Sequence, residues 1–315
     1  MAEARPLRAL VAIATYRRPE PLRRLLSSLE DQAAACGAHV LVVDNDAAGG
    51  ARAIATSSPA TSHYVVEPAP GIAEARNAAL AQFDERFDVI LFIDDDETAD
   101  PGWLRAMLDD LAASGADIAL GAVRTVLDGA PAWIARGGYL QRGIPPTGTE
   151  CPSAATNNVA LRRDAWLAAG SPRFDPAFSS TGGSDTEFFL RLTESGLVIR
   201  FVAEAVMVEW PPTERLTARW IARRMVRNGI VAGRLTAARR GRRAALGEGL
   251  ALTAAGVRAC ARELRRTRRI GASGARTLLM GVGEAWSALG GRIHEYRRRR
   301  ELPALRDARR VASTT

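Results

Sequence analysis

The sequence predicts an α/β protein with a mostly parallel central sheet and helices on both faces. Short apolar runs alternate with amphipathic helical segments from residue 7 to residue 111, the pattern of strand–helix–strand units. Three of those runs end in polar clusters, and in open parallel sheets ligands bind outside the carboxyl ends of the strands. A chain of 315 residues that is 47% hydrophobic can also bury a sizeable core.

Taken in order, Leu7 to Ala14 reads as a buried strand ending at Thr15-Tyr16-Arg17-Arg18. Pro19 opens a helix with Leu22, Leu25, Leu26 and Leu29 on one face, because proline's fixed φ suits a first helical turn. Val40 to Val43 forms a second strand and ends in Asp44-Asn45-Asp46. Tyr64 to Val66 leads through Glu67-Pro68-Ala69-Pro70-Gly71 into a helix carrying Ile72, Ala75, Ala79 and Leu80. Val89 to Ile93 then runs straight into Asp94-Asp95-Asp96-Glu97, and a helix from Pro101 turns Leu104, Met107, Leu108 and Leu111 inward.

Four consecutive carboxylates at a strand end repel one another at pH 7 unless a cation sits among them. A divalent metal held by oxygen ligands and shared with phosphates meets that need; a solvated acidic turn is the bland alternative. Asp96, or the pair Asp94 and Asp96, can hold Mg²⁺ or Mn²⁺. Asp44, just past its strand, can accept hydrogen bonds from a ribose or a base edge. Arg17, Arg18 or Arg76 can offset diphosphate charge, since the guanidinium fork fits phosphate oxygens; a solvated helix surface is the equal alternative for Arg76. No Gly-x-Gly-x-x-Gly follows the first strand and the chain has no lysine, which argues against a dinucleotide oxidoreductase and a P-loop NTPase.

The charge is unevenly spread. Residues 1–214 hold 18 arginines against 29 carboxylates, whereas residues 215–315 hold 25 against 6. An acidic front and a basic tail imply two tasks, and the tail's partner is expected to be an anionic membrane surface or nucleic acid. Cys36, Cys151 and Cys260 are scattered and odd in number, which suggests a reducing compartment without a disulfide framework or zinc site. The run Ala9 to Ala14 is too short for a signal peptide.

Four segments in this order, Ala14-Thr15-Tyr16-Arg17-Arg18, Val42-Val43-Asp44-Asn45-Asp46, Pro70-Gly71-Ile72-Ala73-Glu74-Ala75-Arg76-Asn77 and Ile93-Asp94-Asp95-Asp96-Glu97, resemble a family 2 glycosyltransferase. The match covers roughly residues 7–235, and the likeness is to bacterial exopolysaccharide-type transferases. The resemblance implies the GT-A fold, a nucleotide-sugar donor, inversion at the anomeric centre, and an Asp-x-Asp motif in the triple-Asp run. It implies a catalytic domain over residues 1–235 and an arginine-rich amphipathic helical tail over 236–315. Donor contacts are expected from Thr15, Tyr16, Arg18, Asp44, Asp46, Arg76, Asn77, Asp94 and Asp95, with metal ligation by Asp94 and Asp96. Asn158, in a polar loop entering a strand, is expected near the donor and acceptor sugars.

Thr181-Gly182-Gly183-Ser184-Asp185-Thr186-Glu187 then gives a tight turn and a helix start. Ser184 or Asp185 can serve simply as a helix cap. The resemblance assigns Asp185 as general base, with Glu187 the runner-up; the family's usual Glu before that Asp is replaced by Ser184. Leu216-Thr217-Ala218-Arg219-Trp220 resembles the Gln-x-x-Arg-Trp motif of processive members with Leu216 in place of Gln, so single additions are expected. Arg219 and Trp220 are expected over the diphosphate and acceptor, or as a solvated charge and a core anchor.

In the tail, no apolar run reaches the ~20 residues that span a bilayer. Leu278, Val282, Trp286, Leu289 and Ile293 recur at helical spacing before Arg297 to Arg300, as in a basic amphipathic helix lying on an anionic membrane or docked on the catalytic domain. The expected protein is cytoplasmic, with the tail offering attachment to the inner face of the cell membrane. Its expected partners are a nucleotide-sugar donor and a glycan or lipid-linked acceptor, not nucleic acid. The rival readings are a sugar nucleotidyltransferase, which would normally carry a lysine-containing Gly-rich loop, and a nucleic-acid-binding protein, for which no module is present.

Overall fold

A computed structural model of the chain describes residues 5–179, 182–268 and 271–291. The expected helix positions Ile293 and Arg297 to Arg300, and Thr181 of the glycine turn, lie outside the described residues.

The first half alternates as expected: β1 (Ala9–Thr15), α1 (Pro19–Cys36), β2 (His39–Asp44), α2 (Arg52–Ser57), β3 (Thr61–Val66), α3 (Ile72–Leu80) and β4 (Val89–Asp94). Then follow β5 (Glu97–Ala99), α4 (Trp103–Ser114), β6 (Ile118–Thr125), α5 (Ala132–Ala135), β7 (Glu150–Cys151), β8 (Asn158–Arg162) and α6 (Arg163–Ala168). A 3₁₀ turn at Pro176–Phe178 precedes α7 (Ser184–Glu194) and β9 (Ile199–Glu209). After a second 3₁₀ turn, Thr213–Arg215, come α8 (Ala218–Arg240), α9 (Arg242–Thr267) and α10 (Ala272–Ala288).

The strands form one sheet in the order β3-β2-β1-β4-β8-β6-β9-β5, with β7 paired to β9. β1 pairs in parallel with β2 and β4, and β6 with β9. β8 enters antiparallel between β4 and β6, so Asn158 lies opposite Ile93, next to Asp94. The architecture is therefore α/β with a mostly parallel sheet, and the carboxyl ends of β1, β2 and β4 share one edge.

Strand alternation builds a core on each face. Val11, Ile13, Val40, Val42, Leu91 and Ile93 pack with the leucines of α1 and with Trp103 and Met107 of α4. Leu10, Leu41, Val43, Ile90 and Phe92 point the other way, onto α3 and onto Phe188 and Phe189 of α7. Leu22, Leu25, Leu26 and Leu29 are all buried, and each such side chain is worth about 1.5–3 kcal/mol. That stripe, more than intrinsic propensity, holds α1. The helix stops at Gly37, whose φ of 61° closes the turn with its amide donating to the Ala34 carbonyl.

α8 runs through residue 235, the expected boundary between catalytic domain and tail, and packs against both α9 and α10. Glycines let the backbones nearly touch. A Cβ at Gly229 would collide with the Met280 carbonyl, and one at Gly283 with the Val226 carbonyl. The face of α8 turned to α10 is thus spent on backbone contact, which leaves its opposite face for the sheet edge. Among the described residues no helix is long and apolar enough to cross a membrane.

Candidate active site

A cavity of about 1120 Å³ opens at the carboxyl ends of β1 and β4 and runs along α8. Small-molecule sites are typically ~300–1,000 Å³, so this one has room for more than one substrate. Thr15, Tyr16 and Arg18 line it from β1, Asp94 to Glu97 from β4 and its turn, Arg76 from α3, and Asp185 from α7.

The acidic turn is only partly neutralised. Thr15 donates its hydroxyl to Asp95 at 2.8 Å, and Arg18 pairs with Asp95 at 3.0 Å and with Asp96 at 2.9 Å. Burial works against the charge on Arg18, but Asp95 and Asp96 outweigh it and hold its pKa above the arginine norm. Burial likewise pushes Asp95 up despite Arg18. Asp94 meets Arg76 only at 3.9 Å and stays partly open to solvent. Burial, opposed by Arg76 and reinforced by Asp96 and Asp95, lifts its pKa to about 6.

Glu97 belongs to the expected acidic run but was given no role of its own there. It is 3% exposed, and its Oε1 accepts from the Asn157 amide at 2.8 Å. Its Oε2 is buried with no partner. Burial first, then Asp94, push its pKa well above the carboxylate norm. Nothing in the sequence separated it from the three aspartates.

These oxygens fit the expected hard divalent cation. The donor set is all carboxylate, Asp94 is under-compensated, and the orphaned Glu97 oxygen marks a site short of positive charge. Among the described residues no group of three or more His, Cys, Asp or Glu side chains is arranged to hold a metal ion. A cation here would need its remaining ligands from phosphate and water.

Arg76 links the two halves of the site. Buried on α3, it reaches toward Asp94 with one nitrogen and donates from the other to Ser184 Oγ at 2.9 Å. α3 starts at Gly71, whose φ of 149° and contact with Ser179 leave no room for a side chain. Ser184 and Asp185 do not cap their helix; Gly183 occupies that position at φ 88°. Asp185 Oδ1 accepts from the Thr186 amide at 2.8 Å, and Asp185 faces Asp94 closely enough to add to its charge repulsion.

Several expected contacts are placed elsewhere. Asp44 is fully buried and accepts from the amides of Asp46 and Ala51 and from the Tyr64 hydroxyl; its carboxylate staples a loop, and Asn45 beside it lines the cavity. Asp46 pairs with Arg17 at 2.9 Å. Asn77 brackets the Phe174 backbone, donating to its carbonyl and accepting from its amide. Asn158 accepts from Trp103 Nε1 and donates to the carbonyls of Ala122 and Ala205. Successive strand residues point oppositely, so its neighbour Asn157 lines the cavity instead. Glu187 is paired with Arg191 at 2.7 Å outside the cavity lining. Arg219 is exposed, whereas Trp220 lines the cavity with Arg215 and Arg224 over its ring.

Residues 10–166 match the model of glycosyl transferase family 2. The chain is 36% identical over 236 residues to the succinoglycan biosynthesis protein ExoM of Rhizobium meliloti (strain 1021), covering 72% of this chain and 74% of that protein. Among solved structures it is similar to S. aureus TarS residues 1–349, with a TM-score of 0.54 at 15% identity over 90% of this chain and 92% of that one. It is also similar to GalNAc-T7 with UDP, GalNAc and Mn²⁺, with a TM-score of 0.53 at 13% identity over 66% of this chain; it spans 45% of that protein's length. At these identities the structures speak to the fold alone, and that fold is GT-A.

Proposed function

The chain belongs to glycosyl transferase family 2, and we propose that it moves a sugar from a nucleotide sugar, UDP-linked in the first instance, to a hydroxyl of a glycan or lipid-linked acceptor in exopolysaccharide synthesis. One observation carries this reading: Arg76 joins a carboxylate end, Asp94 to Glu97, to a base end, Asp185, within one cavity. The relative named for succinoglycan biosynthesis supports the pathway.

In this reaction Thr15, Tyr16, Arg18 and Asn45 bind the nucleoside diphosphate at the ends of β1 and β2. Asp94 and Asp96 would hold Mg²⁺ or Mn²⁺, which when bound neutralises charge developing on the leaving diphosphate. Arg76 is placed to add a second cation there. Asp185 has one carboxylate oxygen engaged by the Thr186 amide, which fixes its orientation and leaves the other to take the acceptor hydroxyl's proton. Attack from the face opposite the leaving group inverts the anomeric carbon, and Glu97, with Asn157, shapes the floor. The expected result is nucleoside diphosphate release from one nucleotide sugar in a panel, abolished by EDTA and restored by Mn²⁺ or Mg²⁺. Release that is indifferent to chelation would remove the cation, and no release or binding across the panel would remove the donor class.

The tail is proposed as a peripheral attachment to an anionic membrane. α9 exposes Leu250, Val257 and Leu264 seven residues apart, and α10 exposes Val282 and Trp286, with Leu289 exposed just past its end. Exposed Arg258, Arg262, Arg265 and Arg266 flank the α9 stripe. An apolar stripe edged by arginine suits a headgroup boundary. The protein is therefore expected to float with vesicles containing phosphatidylglycerol and not with neutral ones. A Leu250→Glu/Val257→Glu variant should stay in the soluble fraction; equal flotation would refute the attachment.

A further inference from the structure

Where the cavity meets the acidic turn, before it continues as a groove along α8, one wall holds polar atoms that the cation and the base leave unused. Ser153, Ala155 and Asn157, alternate residues of the stretch leading into β8, all line it. Ser153 Oγ is buried without a partner among the described residues. Asn157 is 5% exposed, and its amide nitrogen donates to Glu97 Oε1 at 2.8 Å. Its carbonyl oxygen has no hydrogen-bond partner among the described residues and, unlike Glu97 Oε2, is not sealed from the cavity. An amide held in this way is short of one hydrogen bond.

The position of Asn157 decides which part of a substrate it meets. Asn158 lies opposite Ile93 in the antiparallel β4–β8 pair, so one step further along sets Asn157 beside Asp94. Residues directly opposite on such a pair have Cβ atoms ~4.5–5.5 Å apart on one face. Asp185 also stands near Asp94. A sugar whose diphosphate is held at Asp94 and Asp96, with its anomeric carbon turned to an acceptor at Asp185, therefore lies against Asn157.

Glu97 fixes how Asn157 is presented. The amide has a donor end and an acceptor end, and the Glu97 oxygen takes the donor end. The acceptor end is thereby turned away from Glu97. The same wall is acidic. Glu97 lies opposite Glu209 in the β5–β9 pair, and Glu209 is already matched by Arg142 at 3.3 Å. A sugar hydroxyl supplies the proton that the Asn157 carbonyl lacks, whereas a sugar carboxylate would bring a like charge beside Glu97 and Asp94.

We propose that Asn157, oriented by Glu97, reads a hydroxyl of the donor sugar, and that the sugar transferred is a neutral one and not a uronic acid. Asn157 makes the contact and Glu97 is its positioning residue. The proposal rests on the transferase reading, because the diphosphate held at Asp94 is what brings a sugar to Asn157.

The test is isothermal titration of the full chain, with Mn²⁺ present, by UDP, UDP-glucose, UDP-galactose and UDP-glucuronate. Wild type, Asn157→Ala, Asn157→Ser and Glu97→Gln are compared, with thermal melts to confirm folding. Asn157→Ser keeps a hydroxyl to donate to Glu97 while removing the carbonyl, so it serves if the alanine variant does not fold. Wild type is expected to bind at least one neutral ester more tightly than UDP-glucuronate. Both Asn157 variants should lose about threefold to tenfold for that ester, the worth of one neutral hydrogen bond, with UDP affinity unchanged. Glu97→Gln lets the Asn157 amide sit either way round, so it should narrow the gap between the neutral ester and UDP-glucuronate, again without changing UDP. A merely structural loss would lower all four ligands alike and leave that gap as it was. Unchanged ester-to-UDP affinity ratios in the Asn157 variants, or a wild type that binds UDP-glucuronate as well as the neutral esters, would refute the subsite. A Glu97→Gln variant that loses UDP affinity with its selectivity intact would show that Glu97 serves the cation instead. A wild type that binds neither UDP nor any ester would overturn the donor reading itself.

Discussion

Asp185→Asn is expected to lower sugar transfer by about 10²–10⁴-fold, the usual worth of a general base, with nucleoside diphosphate affinity unchanged. Asparagine keeps the oxygen that accepts from the Thr186 amide, so the start of α7 should stay in place and only proton acceptance is lost. Glu187→Gln is the matched control. Its carboxylate is held by Arg191 outside the cavity lining, and its loss should leave turnover and nucleotide affinity unchanged. Turnover and nucleotide affinity measured on the same preparations decide the matter. Near-normal turnover in the Asp185 variant would end its role as base.

The second large effect concerns the acidic turn. Asp94→Asn should weaken Mn²⁺-dependent nucleoside diphosphate binding by about 100-fold, since even groups that only orient a metal ligand are worth ~10–100-fold. Asp96→Asn should remove the metal dependence too, but with a different signature. It releases Arg18 and Arg215 from their shared carboxylate, so metal-free binding should rise above wild type. Thermal stability separates these losses from misfolding. Asp94 carries a folded pKa of about 6, above the ordinary aspartate value of about 3.9. Between those values the folded state holds a proton that the unfolded state has released, so stability falls as pH rises through this window and the penalty is complete at neutral pH. Removing the charge should leave the melting temperature at pH 7 no lower than wild type. Isothermal titration with and without EDTA, beside the melts, gives the result; unchanged affinity in both variants would show that neither carboxylate holds a cation.

How much of this was legible in the sequence depends on the kind of signal. Apolar runs ending in polar clusters located β1, β2 and β4, because strand length and face alternation are local properties of the chain. The site residues that a strand end dictates, Thr15, Arg18 and Asp94 to Asp96, line the cavity as expected. What failed was side-chain direction. Asn158 opens β8 and turns into the sheet, whereas Asn157, the residue just before the strand, lines the cavity. Arg219 points to solvent because α8 begins at Ala218 with Thr217 as its cap, which puts Trp220 and Arg224 on the inner face. Asp44 read as a ligand because its backbone position is right, yet two amides and a tyrosine hydroxyl occupy it. Such partners come from distant segments, and no spacing rule announces them. Arg142, Arg215 and Arg224 come together in the cavity from the loop before β7, the turn after β9 and α8, segments too far apart in sequence for any spacing rule to join them.

The glycine contacts between α8 and α10 bear on how such an enzyme changes over time. Side chains on the outward faces of α8 and α10 can be exchanged without moving the groove. Gly229 and Gly283 have no such latitude, because any side chain there would push two backbones apart and carry Arg224 away from the sheet edge. Acceptor choice in this lineage is therefore expected to diverge through the residues that line the groove, while its width is inherited unchanged.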